Sequence, residues 1–96
     1  MIISFGDKET ERLYNEQWSK KYPPQIIVRC MQALISIDVA NSLKDLIHPI
    51  SNHLEPLIGN RSGQWSIRIN HKYRVTFTPV NGGQDYEDVK IEDYHR

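Results

Sequence analysis

An α+β fold, with two helices ahead of a mainly antiparallel sheet, is what this chain predicts, and three observations predict it. The stretch RSGQWSIRINHKYRVTFTP, from Arg61 to Pro79, alternates apolar and polar residues with period two, the mark of two half-buried strands. Upstream, apolar residues recur instead at helical spacing in two separate runs. Between those runs Pro23 and Pro24 forbid one continuous helix, while Pro24 suits the first turn of a second.

Ile2 to Phe5 is a short apolar run ended by Gly6 and Asp7, and it predicts an N-terminal strand that enters the same sheet. Asp7 is the expected N-cap of the first helix, with Glu9 and Glu11 in its first turn, where the helix dipole favours acids. Thr10, Leu13, Tyr14, Gln17 and Trp18 mark its inner face, and it should stop before Tyr22. In the second helix Ile27, Cys30, Met31, Leu34 and Ile35 form the apolar stripe, with Arg29 and Gln32 on the other side. Cys30 and Met31 read as packing residues, because no basic neighbour in sequence would activate the thiol.

Ser42, with Asp45 three residues on, offers a capping pattern for one short helical segment that ends at Ile47. His48 to His53 reads as loop. The two histidines, five apart with Pro49 between them, match no metal-ligand spacing, so neither metal nor cofactor is expected. Leu54 to Ile58 is a short strand that Pro56 confines to an edge or a bulge. Turn chemistry at Gly59-Asn60-Arg61-Ser62-Gly63 delivers the chain into the hairpin, and Asn81-Gly82-Gly83 turns it into a last strand, Tyr86 to Tyr94, with Val89 and Ile91 facing inward.

The hairpin fixes its own register. Setting Ile69 against Tyr73 pairs Ile67 with Val75 and Trp65 with Phe77, so the large apolar groups share one face, whereas a two-residue turn at His71 and Lys72 would scramble both faces. The opposite face then carries Gln64, Ser66 and Arg68 against Thr78, Thr76 and Arg74. Arg68 directly opposes Arg74. Facing like charges cost up to about 1 kcal/mol unless an anion or a carboxylate lies between them. A bound anion would serve, and so would Glu55 or Glu92 on a neighbouring strand.

At 96 residues there is room for one domain, 1–96, with a core small enough that every amphipathic element must contribute. The formal net charge is zero, so attraction to nucleic acid must come from local asymmetry. Between Gly59 and Gln84 the charged side chains are Arg61, Arg68, Lys72 and Arg74, whereas Asp85 to Asp93 holds five carboxylates and one lysine. A single cysteine excludes an intrachain disulfide and fits a reducing compartment. The N-terminal apolar run is too short for a signal peptide, and no stretch is long enough to span a membrane, so a cytoplasmic protein is expected.

Several segments taken together resemble the HigB toxins of bacterial type II toxin–antitoxin modules, within the RelE/ParE superfamily. They are the opening Ile-x-Ser-Phe-x-Asp-Lys, the run Leu54-x-Pro56-Leu57-x-Gly59-Asn60-Arg61-x-Gly63, then Gly63-x-Trp65-Ser66-Ile67, Tyr73-Arg74-Val75-x-Phe77, and the closing Glu92-Asp93-Tyr94-His95. The resemblance spans nearly the whole chain. It implies a compact α+β domain, two N-terminal helices on a mostly antiparallel curved sheet. It also implies a metal-independent, ribosome-dependent messenger-RNA endonuclease that inhibits translation and is neutralised by a helix-turn-helix antitoxin of HigA type, with operator DNA reached only through that antitoxin.

Such cleavage uses the ribose 2′-hydroxyl as nucleophile, so the protein must supply a base, an acid and cations for the charge on the phosphorane. By position the resemblance assigns Arg74, Asp93, Tyr94 and His95 to the catalytic set. Glu55 stands where some relatives carry histidine and is the candidate base, and Ile58 stands where many carry lysine. Those two departures imply weaker cleavage than in relatives with the full set. Arg61, Arg68 and Lys72 are the candidate phosphate cations. Two further functions fit the same family likeness: a ParE-like inhibitor of DNA gyrase, and a binding module that keeps the antitoxin interface without activity.

Overall fold

In the computed structural model the described residues are 1–93. Tyr94, His95 and Arg96 lie outside them. The order is helix α1 (Lys8–Glu16), helix α2 (Pro24–Val39), 3-10 turns at Leu43–Leu46 and Ile50–Asn52, strand β1 (Glu55–Pro56), a third 3-10 turn at Gly59–Arg61, and strands β2 (Trp65–Arg68), β3 (Tyr73–Val80) and β4 (Asp85–Asp93). The strands form one sheet in the order β1-β2-β3-β4, all neighbours antiparallel. This is the expected architecture of two helices against a mainly antiparallel sheet.

Each helix begins where the local chemistry directs. The Asp7 side chain accepts a 2.8 Å bond from the Thr10 amide, which fixes the start of α1, and α2 begins at Pro24. Gln17, in the left-handed region, ends α1 early, so Trp18 lies beyond the helix and half-exposed rather than on its inner face. Thr10 also receives the Ile91 amide at 3.0 Å, tying α1 to β4.

The buried face of α2 is rotated from the expected stripe. Ile26, Cys30, Ala33, Leu34 and Ile37 are buried; Ile27 and Met31 pack at the margin, and Ile35 is 48% exposed. A helix this apolar around its circumference, with Val28 and Val39 exposed as well, carries too little contrast for periodicity to select one face. Cys30 is wholly buried and its thiol is pushed up to about 11 by burial, as a packing residue should be.

The hairpin register is the one the alternation dictates: Trp65 pairs with Phe77, Ile67 with Val75 and Arg68 with Arg74. Ile67, Val75 and Phe77 are buried beneath α2, and Phe77 meets Tyr86 edge-on at 5.4 Å. Strand β4 departs from simple alternation. Thr76 pairs with Lys90 but Thr78 with Glu87, so Asp88 and Val89 together oppose Phe77, and Asp88 takes a positive φ of 54°. This β-bulge turns Tyr86 and Val89 to the same side, and both are fully buried.

The N-terminal run does not become a strand. It makes two isolated parallel bridges to the outer edge of β4, Ile2 with Tyr86 and Phe5 with Val89, and the bulge interrupts the ladder between them. The Ser42 side chain caps nothing; Asp45 instead accepts from the Asn41 amide at 2.8 Å. Leu54 to Ile58 is indeed an edge element, shortened to Glu55–Pro56.

Candidate functional site

The second face of the sheet holds the candidate residues, and it is not solvated. Ser66 and Thr76 are fully buried and Arg74 is 7% exposed, although all three lie on the polar parity. The Arg74 guanidinium is framed on two sides: its Nε donates to Ser66 Oγ at 2.7 Å, and one terminal nitrogen donates to the His53 carbonyl at 2.7 Å. Strand β2 positions the serine, and the segment leading into β1 supplies the carbonyl. In register, Glu55 sits opposite Ser66, so the candidate base flanks the hydroxyl that orients Arg74.

On the other side of Arg74 stands Glu92, its direct partner on β4. The Glu92 carboxylate accepts both terminal nitrogens of Arg61, at 3.1 and 2.5 Å, and the Thr76 hydroxyl. Arg61 is itself aimed by Gln64, whose Oε1 accepts from its Nε at 2.9 Å. Burial pushes the Glu92 carboxyl up, but the hydrogen bonds from Arg61 and Thr76 together outweigh it and hold the group below its ordinary value. Arg61, Glu92, Thr76, Ser66 and Arg74 therefore form one continuous polar row across β2, β3 and β4.

Asp93 pairs with Tyr73 at the end of β4, one residue beyond Glu92, so it shares the end of the sheet with Arg74 but falls on the opposite parity. Tyr94 and His95 fall outside the described residues. Lys72 lies at the hairpin turn, its Nζ 3.9 Å from Asp93 Oδ2 and 5.2 Å from the centre of the Tyr73 ring. Arg68 is on the same face as Arg74 and, among the described residues, its guanidinium has no hydrogen-bond or ion-pair partner. The site thus gathers Arg74, Glu55, Arg61, Arg68, Lys72 and Asp93 around one end of the sheet. Glu92 is no simple neutraliser of the facing arginines, because its carboxylate is held by Arg61 and Thr76.

Two participants escaped the sequence reading. Arg29, expected on the solvent side of α2, is partly buried and donates through one nitrogen to Asn52 Oδ1 at 2.9 Å and to the Arg68 carbonyl at 2.6 Å. Its signal was present: it is the sole charged residue between Pro24 and Ile37. His53, in a segment that the sequence predicts as loop, contributes its carbonyl to Arg74. No pattern foretells a backbone acceptor. Among the described residues no three His, Cys, Asp or Glu side chains converge as a metal centre requires.

This architecture is shared with a class of small bacterial toxins. A chain of the heterotetrameric YoeB–YefM toxin–antitoxin complex from Staphylococcus aureus superposes with a TM-score of 0.60 at 23% identity, over 100% of this chain and 97% of that one. Sequence carries the assignment further: residues 3–95 match the model of the RelE-like toxin of the type II toxin–antitoxin system HigB, and the chain belongs to that HigB-like toxin family. It is 36% identical to the Endoribonuclease HigB of Proteus vulgaris over 99% of this chain and 100% of that one. It is 35% identical to Toxin HigB-1 of Vibrio cholerae over 85% and 87% of the respective chains.

Proposed function

We propose that this HigB-like toxin is a metal-independent endoribonuclease that cuts messenger RNA on the translating ribosome in the cytoplasm, and that a helix-turn-helix antitoxin of HigA type silences it. The observation that carries the reading is the framed, nearly buried Arg74, held by Ser66 and the His53 carbonyl beside Glu92, its cross-strand partner. A guanidinium fixed before substrate arrives is what stabilisation of a phosphorane requires, because no reorganisation is then needed as charge develops.

In this reading the 2′-hydroxyl attacks the adjacent phosphorus while a base removes its proton and an acid protonates the leaving 5′-oxygen. Arg74 faces the equatorial phosphoryl oxygens. Glu55 is the base beside Ser66, and the Asp93-Tyr94-His95 run supplies the acid. Arg68 and Lys72 hold flanking phosphates. Arg61 acts at one remove, by fixing Glu92. Family membership and the relative's endoribonuclease name support the activity class in which these roles are proposed.

The test is induction in cells followed by primer-extension mapping of messenger ends, with purified protein assayed on the same RNA with and without ribosomes. Growth arrest with new ends inside translated frames, and little cutting of free RNA, is expected. Arrest with intact messages and altered plasmid supercoiling would replace this reading with gyrase inhibition.

A further inference from the structure

At the turn end of the hairpin lies an open cavity of about 400 Å³, bounded by Arg29 of α2, Arg68 of β2, Ser51 and His53 of the preceding segment, and Asn70 and His71 of the turn. Its lining contains two arginines and two histidines and no carboxylate. Among the described residues the Arg29 guanidinium meets only neutral acceptors there, Asn52 Oδ1 and the Arg68 carbonyl, both through the same nitrogen. A guanidinium carries five N–H donors, so most of its capacity stays unused. Burial pulls Arg29 below its ordinary value, which is the cost of holding a cation partly out of water with no carboxylate beside it among the described residues. Arg68 adds a second guanidinium that has no acceptor among the described residues.

We infer that this cavity is a phosphodiester subsite, which holds the backbone of a single RNA strand one step from the phosphate at Arg74. The identity of the strand rests on the nuclease reading; the anion site itself rests on the cavity. Both arginines fit the inference by position. The Ile69 amide bonds to the Tyr73 carbonyl at 3.0 Å, which makes Arg68 and Arg74 the adjacent non-hydrogen-bonded pair. In such pairs the Cα atoms are about 4.5 Å apart. Two cationic positions side by side, one framed and one facing an acid-free cavity, suit successive phosphates of one strand better than one isolated anion. Asn70 does not compete for the site, because its side-chain oxygen is taken by the amides of Lys72 and Tyr73 at 2.8 Å each.

The experiment is anisotropy of a labelled single-stranded 2′-O-methyl oligonucleotide, which has no free 2′-hydroxyl and is not cut, binding to the full chain across a salt series. Arg68→Gln should weaken binding about tenfold or more and lower the slope of log K against log salt by about 0.7, the value for one phosphate contact on a single strand. Arg29→Gln should do the same, with thermal unfolding run beside it; if it unfolds, Arg68→Gln decides, since that side chain supports no hydrogen bond among the described residues. Unchanged affinity and slope in Arg68→Gln overturn the subsite. A parallel titration with inorganic phosphate, read at the Asn70 and His71 amides, separates the sources: shifts with phosphate but none with the oligonucleotide overturn the RNA assignment. Oligonucleotide binding with the predicted slope change, in a protein that leaves cellular messages uncut, sustains the subsite and defeats the nuclease reading instead.

Discussion

The two faces of the β2–β3–β4 sheet are both buried, but by different chemistry. Beneath the helices, Ile67, Val75, Phe77 and Val89 are covered by apolar neighbours that need no particular partner. On the opposite face Ser66, Thr76 and Arg74 are equally inaccessible, yet each is fixed by a named hydrogen bond. The first face tolerates approximation and answers to volume. The second is all-or-none: a missing member leaves its partner desolvated and unpaired, at about 1–3 kcal/mol. A binding or catalytic surface gains from the second arrangement, because charges that cannot move need no reordering when substrate arrives.

Breaking the apolar face should have the largest effect on folding. Phe77→Ala removes a wholly buried ring at the centre of the sheet and its edge-on contact with Tyr86, a loss of about 3–5 kcal/mol. Set against the roughly 5–15 kcal/mol that stabilises a domain of ordinary size, that leaves a poorly folded protein. Urea unfolding followed by circular dichroism checks it; a midpoint close to wild type would show that the ring is not integral to the core.

Arg74→Ala tests the polar face and the proposed chemistry at once. Toxicity should vanish, since losing one preorganised charge contact typically costs about a hundredfold to a thousandfold in rate. The fold should also weaken, by about 1–3 kcal/mol, because the Ser66 hydroxyl and the His53 carbonyl lose their partner. Heat denaturation beside a growth assay separates the effects. Arg74→Lys should regain part of the melting temperature without the activity, as a lysine cannot satisfy two such acceptors in the guanidinium's plane. Equal toxicity in wild type and Arg74→Ala would remove Arg74 from the mechanism.

Glu92→Gln is a smaller lesion, about 1–2 kcal/mol at neutral pH, since an amide still accepts from Thr76 but loses the charge opposite Arg61. Its pH dependence has a definite sign. A carboxyl held below its ordinary value contributes stability above the unfolded pKa of about 4.3, and that stability is lost as pH falls through the folded value. The gap between wild type and mutant should therefore be widest near neutrality and close on acidification below about pH 4. A gap constant from pH 7 to pH 3 would mean that Glu92 does not hold the row together electrostatically.

How much of this could be read beforehand follows the same division. The hairpin register, the Asp7 cap and the Pro24 start were legible because each is a local pattern with a local cause. The buried face of α2 was not, because Val28, Ile35 and Val39 are as apolar as the residues that pack. Tyr86 was hidden by the bulge at Asp88, which reverses parity where period-two counting assumes none. At the site, Arg74 and Arg68 were legible as charges on one parity and Arg61 as a cation of the preceding turn, but the partners that fix Arg74 and Arg61 were not: Glu92 lies 31 residues from Arg61, and the His53 acceptor is backbone. Long-range pairing and main-chain acceptors leave no periodic trace.

The smallest predicted effect sharpens the contrast most. Arg68 and Arg74 are direct cross-strand neighbours of identical chemistry, yet one is framed by Ser66 and His53 while the other has no acceptor among the described residues. Without a bound anion, the repulsion between them belongs to the Arg68 side, because Arg74 cannot leave its frame and the Arg68 side chain makes no bond among the described residues in return. Arg68→Gln should therefore stabilise the free protein by a few tenths of a kcal/mol, the opposite sign to Arg74→Ala. High salt should erase the gain, since screening already weakens like-charge repulsion at a partly exposed site. Paired urea titrations at about 0.02 and 0.5 M ionic strength measure both quantities. A clear loss of stability in Arg68→Gln at either salt concentration would mean that its guanidinium has a structural duty, and that the two arginines are not the fixed and waiting halves of one pair.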